Sequence, residues 1–252
     1  MKCARDRLIL ALDVPGLKEA EDLVERLSGR VKYFKIGMEL HNAAGPEAAR
    51  MVRRHGGEVF LDLKFHDIPN TVGRTAEVIA GLGVFMFNVH AAGGSEMMRR
   101  AAESARVAAA RQGYPKPLVI GMTLLTSIDQ KILNQEMQVS GSLGDHVVFW
   151  SRLAQEAGLD GVVASPREIS LIKEACGSGF VTVTPGIRPV WAEMGDQRRT
   201  MTPKEAVALG GDYLVIGRPI TQAPDPVEAA GRVLDEIEEG LASTIVFTSS
   251  LD

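Results

Sequence analysis

Residues 60–71 read Phe-Leu-Asp-Leu-Lys-Phe-His-Asp-Ile-Pro-Asn-Thr, which indicates a buried strand that leads directly into a helix. Successive side chains of a strand alternate between its two faces, so Asp62 and Lys64 are expected to share a face. Asp67 follows the strand, and the proline at position 69 is typical of the first turn of a helix. Because opposite charges at the end of an apolar strand are costly to bury, we interpret them as a functional site rather than a surface ion pair.

The strand-then-helix order of this stretch recurs along the chain. Short runs typical of strands occur at Leu8–Leu12, Tyr33–Ile36, Val59–Leu63, Met86–His90, Leu118–Met122, Gly161–Ala164, Val181–Thr184 and Tyr213–Ile216. Amphipathic segments of helical period follow them at Leu17–Leu27, Pro46–Arg54, Thr71–Leu82, Ser95–Gln112, Asp145–Glu156, Pro166–Glu174, Thr202–Leu209 and Pro226–Glu239. This strict alternation predicts parallel strands joined by right-handed crossovers.

Eight such units within about 240 residues match a (β/α)8 barrel, the TIM barrel of the α/β class, in both number and length. A doubly wound open sheet is the alternative, but it needs fewer strands and usually has a glycine-rich first turn. The first turn here, at residues 13–16, reads Asp-Val-Pro-Gly and lacks that pattern. We therefore predict one barrel domain over residues 1–239 and a C-terminal tail over residues 240–252, which is either docked or frayed.

The composition describes an ordinary folded protein with few features that suggest large partners. The net charge of −4 and the pI of about 5.8 provide no broad basic face, so we expect no nucleic-acid partner. Cys3 and Cys176 form neither a disulfide framework nor a metal-binding spacing, which favours a reducing cytoplasm. The uncharged stretch at residues 78–95 has the length of a minimal membrane span, but glycines, Asn88 and His90 interrupt it, so we expect no membrane partner.

Polar residues at the carboxyl ends of the strands are expected to face one mouth of the barrel, where such enzymes keep their chemistry. These strand-end residues are Asp13, Lys35, Asp62, Lys64, His90, Thr126, Ser127, Arg188, Gly217 and Arg218. Lys35 interrupts an apolar run, and a lysine exposed to solvent is not favoured in a strand that is covered on both faces. Asp13 alone fits a simple strand-end turn equally well.

The charges near the third strand predict a compact network of alternating sign, which comprises Lys35, Asp62, Lys64 and Asp67. Alternation can keep both lysines cationic and both carboxylates ionised without leaving a buried charge unpaired. Such a network can hold Lys64 as a proton donor and Asp62 as a fixed negative charge. Because each of the two acids is expected to pair with a lysine, we predict no metal site here.

The last two strands predict a phosphate site. Gly217 ends strand eight and lets a ligand approach the backbone, and Arg218 follows with a guanidinium that suits bidentate phosphate binding. The alternative is that Arg218 caps a helix or pairs with Asp225. Strand seven is followed by Arg188 and then by a polar stretch to residue 200, which is long for such a loop and is predicted to be a lid.

The run from Asp62 to Thr71 resembles the signature of the orotidine 5′-phosphate decarboxylase family. Other fragments agree with that family in order and spacing: Ala-Leu-Asp13, Lys35-Ile-Gly, Leu-Thr126-Ser127, Thr-Pro-Gly-Ile-Arg188-Pro, Gly-Asp-Gln197-Arg-Arg and Ile-Gly217-Arg218-Pro. The resemblance covers essentially residues 7–235. Each fragment alone is modest, but six of them in order are highly specific.

The resemblance implies conversion of orotidine 5′-monophosphate to uridine 5′-monophosphate (UMP) and CO2, the last step of de novo UMP synthesis, without a metal or an organic cofactor. It implies that Lys64 protonates C6 of the pyrimidine, that Asp62 lies against the substrate carboxylate, and that Lys35 orients the network and touches the ribose. It further implies an obligatory homodimer, in which Asp67, Ile68 and Thr71 reach the active site of the other subunit.

The remaining site residues are also assigned by this resemblance. Asp13 binds a ribose hydroxyl, and Thr126 and Ser127 lie at the base. The phosphate and the lid involve Arg188, Gln197, Gly217 and Arg218.

Two other functions compete with this interpretation. A metal-dependent phosphosugar decarboxylase or aldolase of the same superfamily resembles the chain in its Asp-x-Lys-x-x-Asp run, and its acidic groups would hold Mg²⁺. The segments that contain Thr126, Ser127 and Gln197 favour a nucleotide substrate instead. The second alternative is a nucleotide-binding barrel without catalysis, which the intact group of acids and lysines disfavours.

Overall fold

The computed structural model describes residues 3–192 and 200–248. Eight parallel strands pair in sequence order, and the first closes on the eighth, which confirms the predicted (β/α)8 barrel. The strands are β1 Leu8–Ala11, β2 Tyr33–Ile36, β3 Glu58–Phe65, β4 Met86–His90, β5 Leu118–Met122, β6 Gly161–Val163, β7 Val181–Thr184 and β8 Tyr213–Ile216. Their bounds agree with the predicted runs to within a residue, except that β3 extends two residues further, to Phe65.

The helices surround the barrel, and most follow the predicted segments. They are α1 Leu17–Leu27, α2 Met38–Ala44, α3 Glu47–Arg54, α4 Pro69–Gly81, α5 Gly94–Gln112, α6 Leu143–Glu156, α7 Ile169–Cys176, α8 Pro203–Ala208, α9 Arg218–Thr221 and α10 Pro226–Thr248. Short 3-10 helices occupy Ala4–Asp6, Ala91–Gly93 and Pro166–Glu168, and a π-helix occupies Ile132–Glu136. The short helices α2 and α9 were not predicted from the sequence.

The last helix extends beyond its predicted end at Glu239. The predicted boundary between the barrel and a tail, at residues 239 and 240, falls inside α10, which continues to Thr248. Gly240, the first residue of the predicted tail, lies within this helix, and a Cβ added there would lie 2.6 Å from the backbone oxygen of Lys204 in α8. This glycine therefore allows two helices to pack closely, and Leu241 packs against the core one residue later.

The alternation of side chains along each strand divides the apolar residues into two cores. The inner core fills the barrel and contains Ile9, Tyr33, Phe60, Met86, Ile120, Val163, Val183 and Val215. The outer core lies between the strands and the helices and contains Leu8, Phe34, Leu61, Phe87 and Val162 among others. Lys35, Asp62 and Asn88 each lie two residues after an inner-core residue of the same strand, so strand periodicity directs them to the barrel interior above that core.

The sequence predicts no membrane partner, and the described helices bear on that prediction through their length and hydrophobicity. Within residues 3–192 and 200–248, no helix combines the length and the hydrophobicity that a bilayer crossing requires.

Gly161 is expected to be essential for the pairing of β6 with β7. It pairs with Val181, and an added Cβ would overlap the backbone oxygen of that residue. Gly161→Ala should therefore lower the free energy of unfolding by about 1–3 kcal/mol or more, measured by urea denaturation. Gly179→Ala is the control, because no atom lies within 4 Å of its added Cβ, and it should change stability by less than about 1 kcal/mol. Equal stability of the two variants would contradict the described register.

Candidate functional site

A cavity of about 320 Å³ opens at the mouth formed by the carboxyl ends of the strands. Its polar lining comprises the predicted site residues Asp13, Lys35, Asp62, Lys64, Thr126, Ser127, Arg188, Gly217 and Arg218. Its apolar wall was not predicted and includes Met122, Leu124, Leu125, Val163, Ala164 and Pro185. The cavity thus combines one charged side with one apolar side.

The charged side is an ordered chain of alternating sign. The ammonium of Lys35 lies 2.9 Å from Oδ1 of Asp13 and 3.4 Å from Oδ2 of Asp62. Lys64 Nζ lies 2.7 Å from the other oxygen of Asp62, Oδ1. Both oxygens of Asp62 therefore face a lysine. The alternation was predicted, but Asp13 is the second carboxylate of this network in place of Asp67.

Lys35 is the most deeply buried charge of the network, with 8% of its surface exposed. Burial alone would lower the pKa of Lys35, but the charges of Asp62 and Asp13 and their hydrogen bonds outweigh it and raise the pKa. Gly37 follows two residues later, and an added Cβ there would lie 3.0 Å from the ammonium of Lys35 and 3.1 Å from Oδ1 of Asp13. A larger residue at position 37 would crowd this ion pair.

Lys64 reaches the cavity by an irregular backbone path. Its φ of 53° lies in the left-handed region, and the pairing of β3 with β4 changes register between Leu61 and Phe65. The regular strand geometry assumed in the sequence analysis therefore ends after Asp62. The side chains of Asp62 and Lys64 nevertheless both line the cavity, as predicted. The register shift turns the Lys64 side chain back toward the carboxylate two residues before it.

Asn88 is a site residue that the sequence interpretation missed. It is fully buried in β4 and hydrogen-bonds both the backbone of Lys64 and the carboxylate of Asp62. A signal was present, because Met86, Asn88 and His90 alternate along one face of a strand, and Met86 fills the barrel.

His90 ends the same strand. Its pKa is lowered chiefly by burial and also by the neighbouring His66 and Lys64. The ring centroids of His90 and His66 lie 5.2 Å apart.

Asp67, Ile68 and Thr71 do not line the cavity of their own chain. All three are exposed at the start of α4, and Ile68 has 65% of its surface exposed. Oδ1 of Asp67 accepts a hydrogen bond of 2.7 Å from the backbone of Ile68. Among the described residues, Asp67 forms no ion pair with a lysine of its own chain, so the predicted pairing is wrong within a single chain.

Three of the residues predicted to bind phosphate line the cavity after β7 and β8, across the barrel from β3, which carries Lys64. They are Arg188, Gly217 and Arg218. Arg188 and Arg218 line both this cavity and an adjoining one of about 630 Å³, which Trp191 and Arg232 also line. An added Cβ on Gly217 would lie 3.2 Å from Cβ of Ala11, so the packing of β8 against β1 also requires a small residue there. Gln197 and the predicted lid around it lie outside the described residues.

A metal site needs several ligand side chains that lie close together. Residues 3–192 and 200–248 contain no group of three or more histidine, cysteine, aspartate or glutamate side chains that are placed to hold a metal ion.

Comparisons with known proteins agree over nearly the whole chain. Residues 6–233 match the family model described as "Orotidine 5'-phosphate decarboxylase / HUMPS family". The chain is 56% identical to the orotidine 5'-phosphate decarboxylase of Moorella thermoacetica, with 93% of each chain covered. It is 52% identical to the protein of the same name from Heliobacterium modesticaldum, over 95% of this chain and 98% of the relative.

Solved structures give the same result. The crystal structure of orotidine 5'-phosphate decarboxylase from Lactobacillus acidophilus superposes with a TM-score of 0.82 at 35% identity, covering 92% of this chain and 99% of that one. An uncharacterized conserved protein from Geobacillus kaustophilus superposes with a TM-score of 0.81 at 40% identity, covering 91% and 99%.

Lys35→Met tests how strongly the network depends on its buried cation. It should lower the free energy of unfolding by about 3–5 kcal/mol, because two carboxylates lose the charge between them. Since the pKa of Lys35 is raised above the ordinary 10.5, its stabilising effect should be complete at neutral pH and disappear only in alkali, as the pH rises through the raised value. Urea denaturation of both proteins from pH 7 to 11 measures this difference.

Lys204→Met is the matched control, because the ion pair of Lys204 with Glu239 is exposed to solvent. It should cost less than about 1 kcal/mol. A similar loss in both variants, or a difference between wild type and Lys35→Met that vanishes by pH 8, would contradict the assigned charge state.

Proposed function

Because the chain belongs to the orotidine 5′-phosphate decarboxylase / HUMPS family, we propose that it converts orotidine 5′-monophosphate to UMP and CO2, the last step of UMP synthesis. The family description joins two names, whereas the relatives at 56% and 52% identity carry the decarboxylase name alone. The observation that carries the proposal is the ion-paired chain from Asp13 through Lys35 and Asp62 to Lys64 beside an apolar wall.

Lys64 is the proposed proton donor. As the bond between C6 and the carboxylate carbon breaks, CO2 leaves and the electron pair stays on C6. The ammonium of Lys64 stabilises that negative charge and then transfers a proton from Nζ to C6. Its position 2.7 Å from Asp62 supports this role, because the carboxylate holds the ammonium at the cavity surface. The resulting amine regains its proton from solvent.

The magnitudes indicate which effect dominates. Asp62 would face the substrate carboxylate, and two like charges ~4 Å apart at an effective dielectric constant of ~20 repel by about 4 kcal/mol. Enzymes typically remove ~8–23 kcal/mol from a barrier. Repulsion by Asp62 is therefore a minor contribution, and stabilisation of the carbanion by the Lys64 ammonium in a water-poor cavity is the larger one.

The rest of the cavity supports a nucleotide substrate. Its volume of about 320 Å³ lies within the ~300–1,000 Å³ usual for small-molecule sites. Asp13, Lys35, Thr126 and Ser127 all line the cavity. We assign Asp13 and Lys35 to the ribose and Thr126 and Ser127 to the base. Phosphate binding is assigned to Arg188, Gln197, Gly217 and Arg218, and this binding energy would position the reacting carbon against Lys64.

We further propose that the active form is a homodimer with shared sites. Asp67, Ile68 and Thr71 lie outside the cavity of their own chain, and Ile68 exposes an apolar side chain just before a helix, which supports a contact with a second chain. A two-fold interface would place the same three residues of each chain at the cavity of its partner. The partner's Asp67 would then approach Lys64 and restore the alternating network originally predicted.

The two alternatives are less well supported. A Mg²⁺-dependent phosphosugar enzyme needs open carboxylate oxygens, whereas both oxygens of Asp62 already face lysines. A protein that only binds an anionic nucleotide has no need of Asp62 in its cavity.

We also propose a cytoplasmic location, because Cys3 and Cys176 are free thiols.

The activity is tested by following the ultraviolet absorbance of orotidine 5′-monophosphate. Wild type should convert it at the same rate before and after exhaustive EDTA treatment. Lys64→Ala should lose at least about 1,000-fold in kcat yet still bind UMP, because the phosphate residues remain. Arg218→Ala should weaken UMP binding as well as kcat/KM. A rate that EDTA abolishes and Mg²⁺ restores would favour the phosphosugar enzyme. Substantial turnover by Lys64→Ala would exclude Lys64 as the proton donor.

The shared site is tested by mixing two inactive homodimers, Lys64→Ala and Asp67→Asn. A mixed dimer holds one site with both defects and one site with neither. Random reassociation places half of the chains in mixed dimers, so activity should return to about a quarter of wild type.

Lys64→Ala mixed with Arg218→Ala is the control, because those two residues line one cavity of a single chain. That mixture should gain no activity over its components. With subunit exchange verified by differently tagged chains, an equal absence of recovery in both mixtures would contradict the shared site.

A further inference from the structure

The backbone at Lys64 needs a restraint beyond ordinary strand pairing. Its φ of 53° is a conformation that residues with a side chain rarely adopt, and it lies where β3 shifts register against β4. Leu61 pairs with Phe87 and Phe65 pairs with Val89, so the shift falls opposite Asn88. The position of the Lys64 ammonium depends on whatever holds this part of the chain.

Asn88 contacts both residues on which the proposed chemistry depends. Its Oδ1 accepts a hydrogen bond of 2.8 Å from the backbone N–H of Lys64, and its Nδ2 donates one of 2.7 Å to Oδ1 of Asp62. The same Asp62 oxygen accepts the Lys64 ammonium at 2.7 Å. The amide orientation follows from these partners, because a backbone N–H can only donate and a carboxylate accepts.

We propose that Asn88 is a positioning residue for the proton transfer to C6. It fixes the backbone from which the Lys64 side chain starts and the carboxylate oxygen on which its ammonium rests. Asn88 is 0% exposed and does not line the cavity, so it acts through Lys64 and Asp62 without touching the substrate. This inference rests on the roles proposed above for those two residues.

The amide also determines how the carboxylate is shared. With Asn88 and Lys64 on Oδ1, the other oxygen of Asp62 remains directed at Lys35, 3.4 Å away. Rotation of the Asp62 carboxylate would disturb both lysines together. A residue at position 88 that cannot donate would therefore misplace the proton donor even where the fold is intact.

Two substitutions distinguish positioning from simple stability. Asn88→Leu has a similar size and removes both hydrogen bonds. Asn88→Asp, when ionised, can still accept from Lys64 but sets a second negative charge against Asp62. When protonated, its hydroxyl can donate to Asp62 while its carbonyl accepts from Lys64, which reproduces the amide. The defect of Asn88→Asp should therefore decrease as the pH falls.

The experiment measures kcat and KM for orotidine 5′-monophosphate in wild type and both variants from pH 5.5 to 8. Asn88→Leu should lose about 100-fold in kcat with KM changed less than about threefold, because the donor rather than the binding site is misplaced. The kcat ratio of Asn88→Asp to wild type should rise at least about tenfold from pH 8 to 5.5. Taking the ratio at each pH separates the effect of the new carboxyl group at position 88 from the pH dependence that the wild-type enzyme itself shows.

Thr182→Val is the matched control, since Thr182 is equally buried and hydrogen-bonds Asp212 away from the cavity. It should lose stability but retain kcat. A kcat of Asn88→Leu within threefold of wild type, or a flat pH ratio for Asn88→Asp, would overturn the inference. If Asn88→Leu does not fold, the pH series of Asn88→Asp decides alone. Absence of decarboxylation by wild type would instead refute the proposed function.

Discussion

The structure of the site depends on the ion pairs that Lys35 makes with Asp13 and Asp62. A lysine with only 8% of its surface exposed is stable as a cation only where opposite charges offset its loss of hydration. Asp62 is in turn shared with Lys64, so neither lysine can move without disturbing the same carboxylate. The buried cation thus makes the site one unit, with Asp13 at one end and the proposed proton donor, Lys64, at the other.

The barrel brings these charges together by periodicity and closure. Inner-core residues fill the barrel below the site, and on β1, β2, β3, β5, β7 and β8 the residue two positions later lines the cavity. Parallel pairing places Lys35 of β2 between Asp13, just after β1, and Asp62 of β3. The ion pairs are therefore a consequence of strand order. Only the last position, Lys64, requires a departure from regular strand geometry, and Asn88 is the residue bonded at that departure.

Features that follow from local periodicity could be predicted from the sequence. The eight strands, the barrel class and the cavity residues from Asp13 to Arg218 follow from alternation and from the rule that strand ends carry the site. The left-handed Lys64 could not be predicted, because lysine, unlike glycine or asparagine, has no preference for that conformation. The alternation along β4 could have indicated that Asn88 faces the barrel interior, but not what it bonds, since its partners lie 24 and 26 positions away.

Two other differences have the same origin in tertiary contacts. Asp13 fitted a turn as well as a network, and only the pairing of β1 with β2 shows that it lies against Lys35. The predicted tail began at Gly240, but the lack of a side chain at this residue allows α10 to pack closely on α8. The role of Asp67 depends on a second chain, which no local pattern can position.

In the proposed mechanism, the Lys64 ammonium, held by Asp62, exchanges a proton with C6 of the bound nucleotide. By microscopic reversibility, the enzyme should then also remove that proton from UMP, so the C6–H signal of UMP should decay in D2O in a proton NMR experiment with wild type. Lys64→Ala with UMP bound should show no decay above the rate without enzyme. Undiminished exchange in Lys64→Ala would contradict the account.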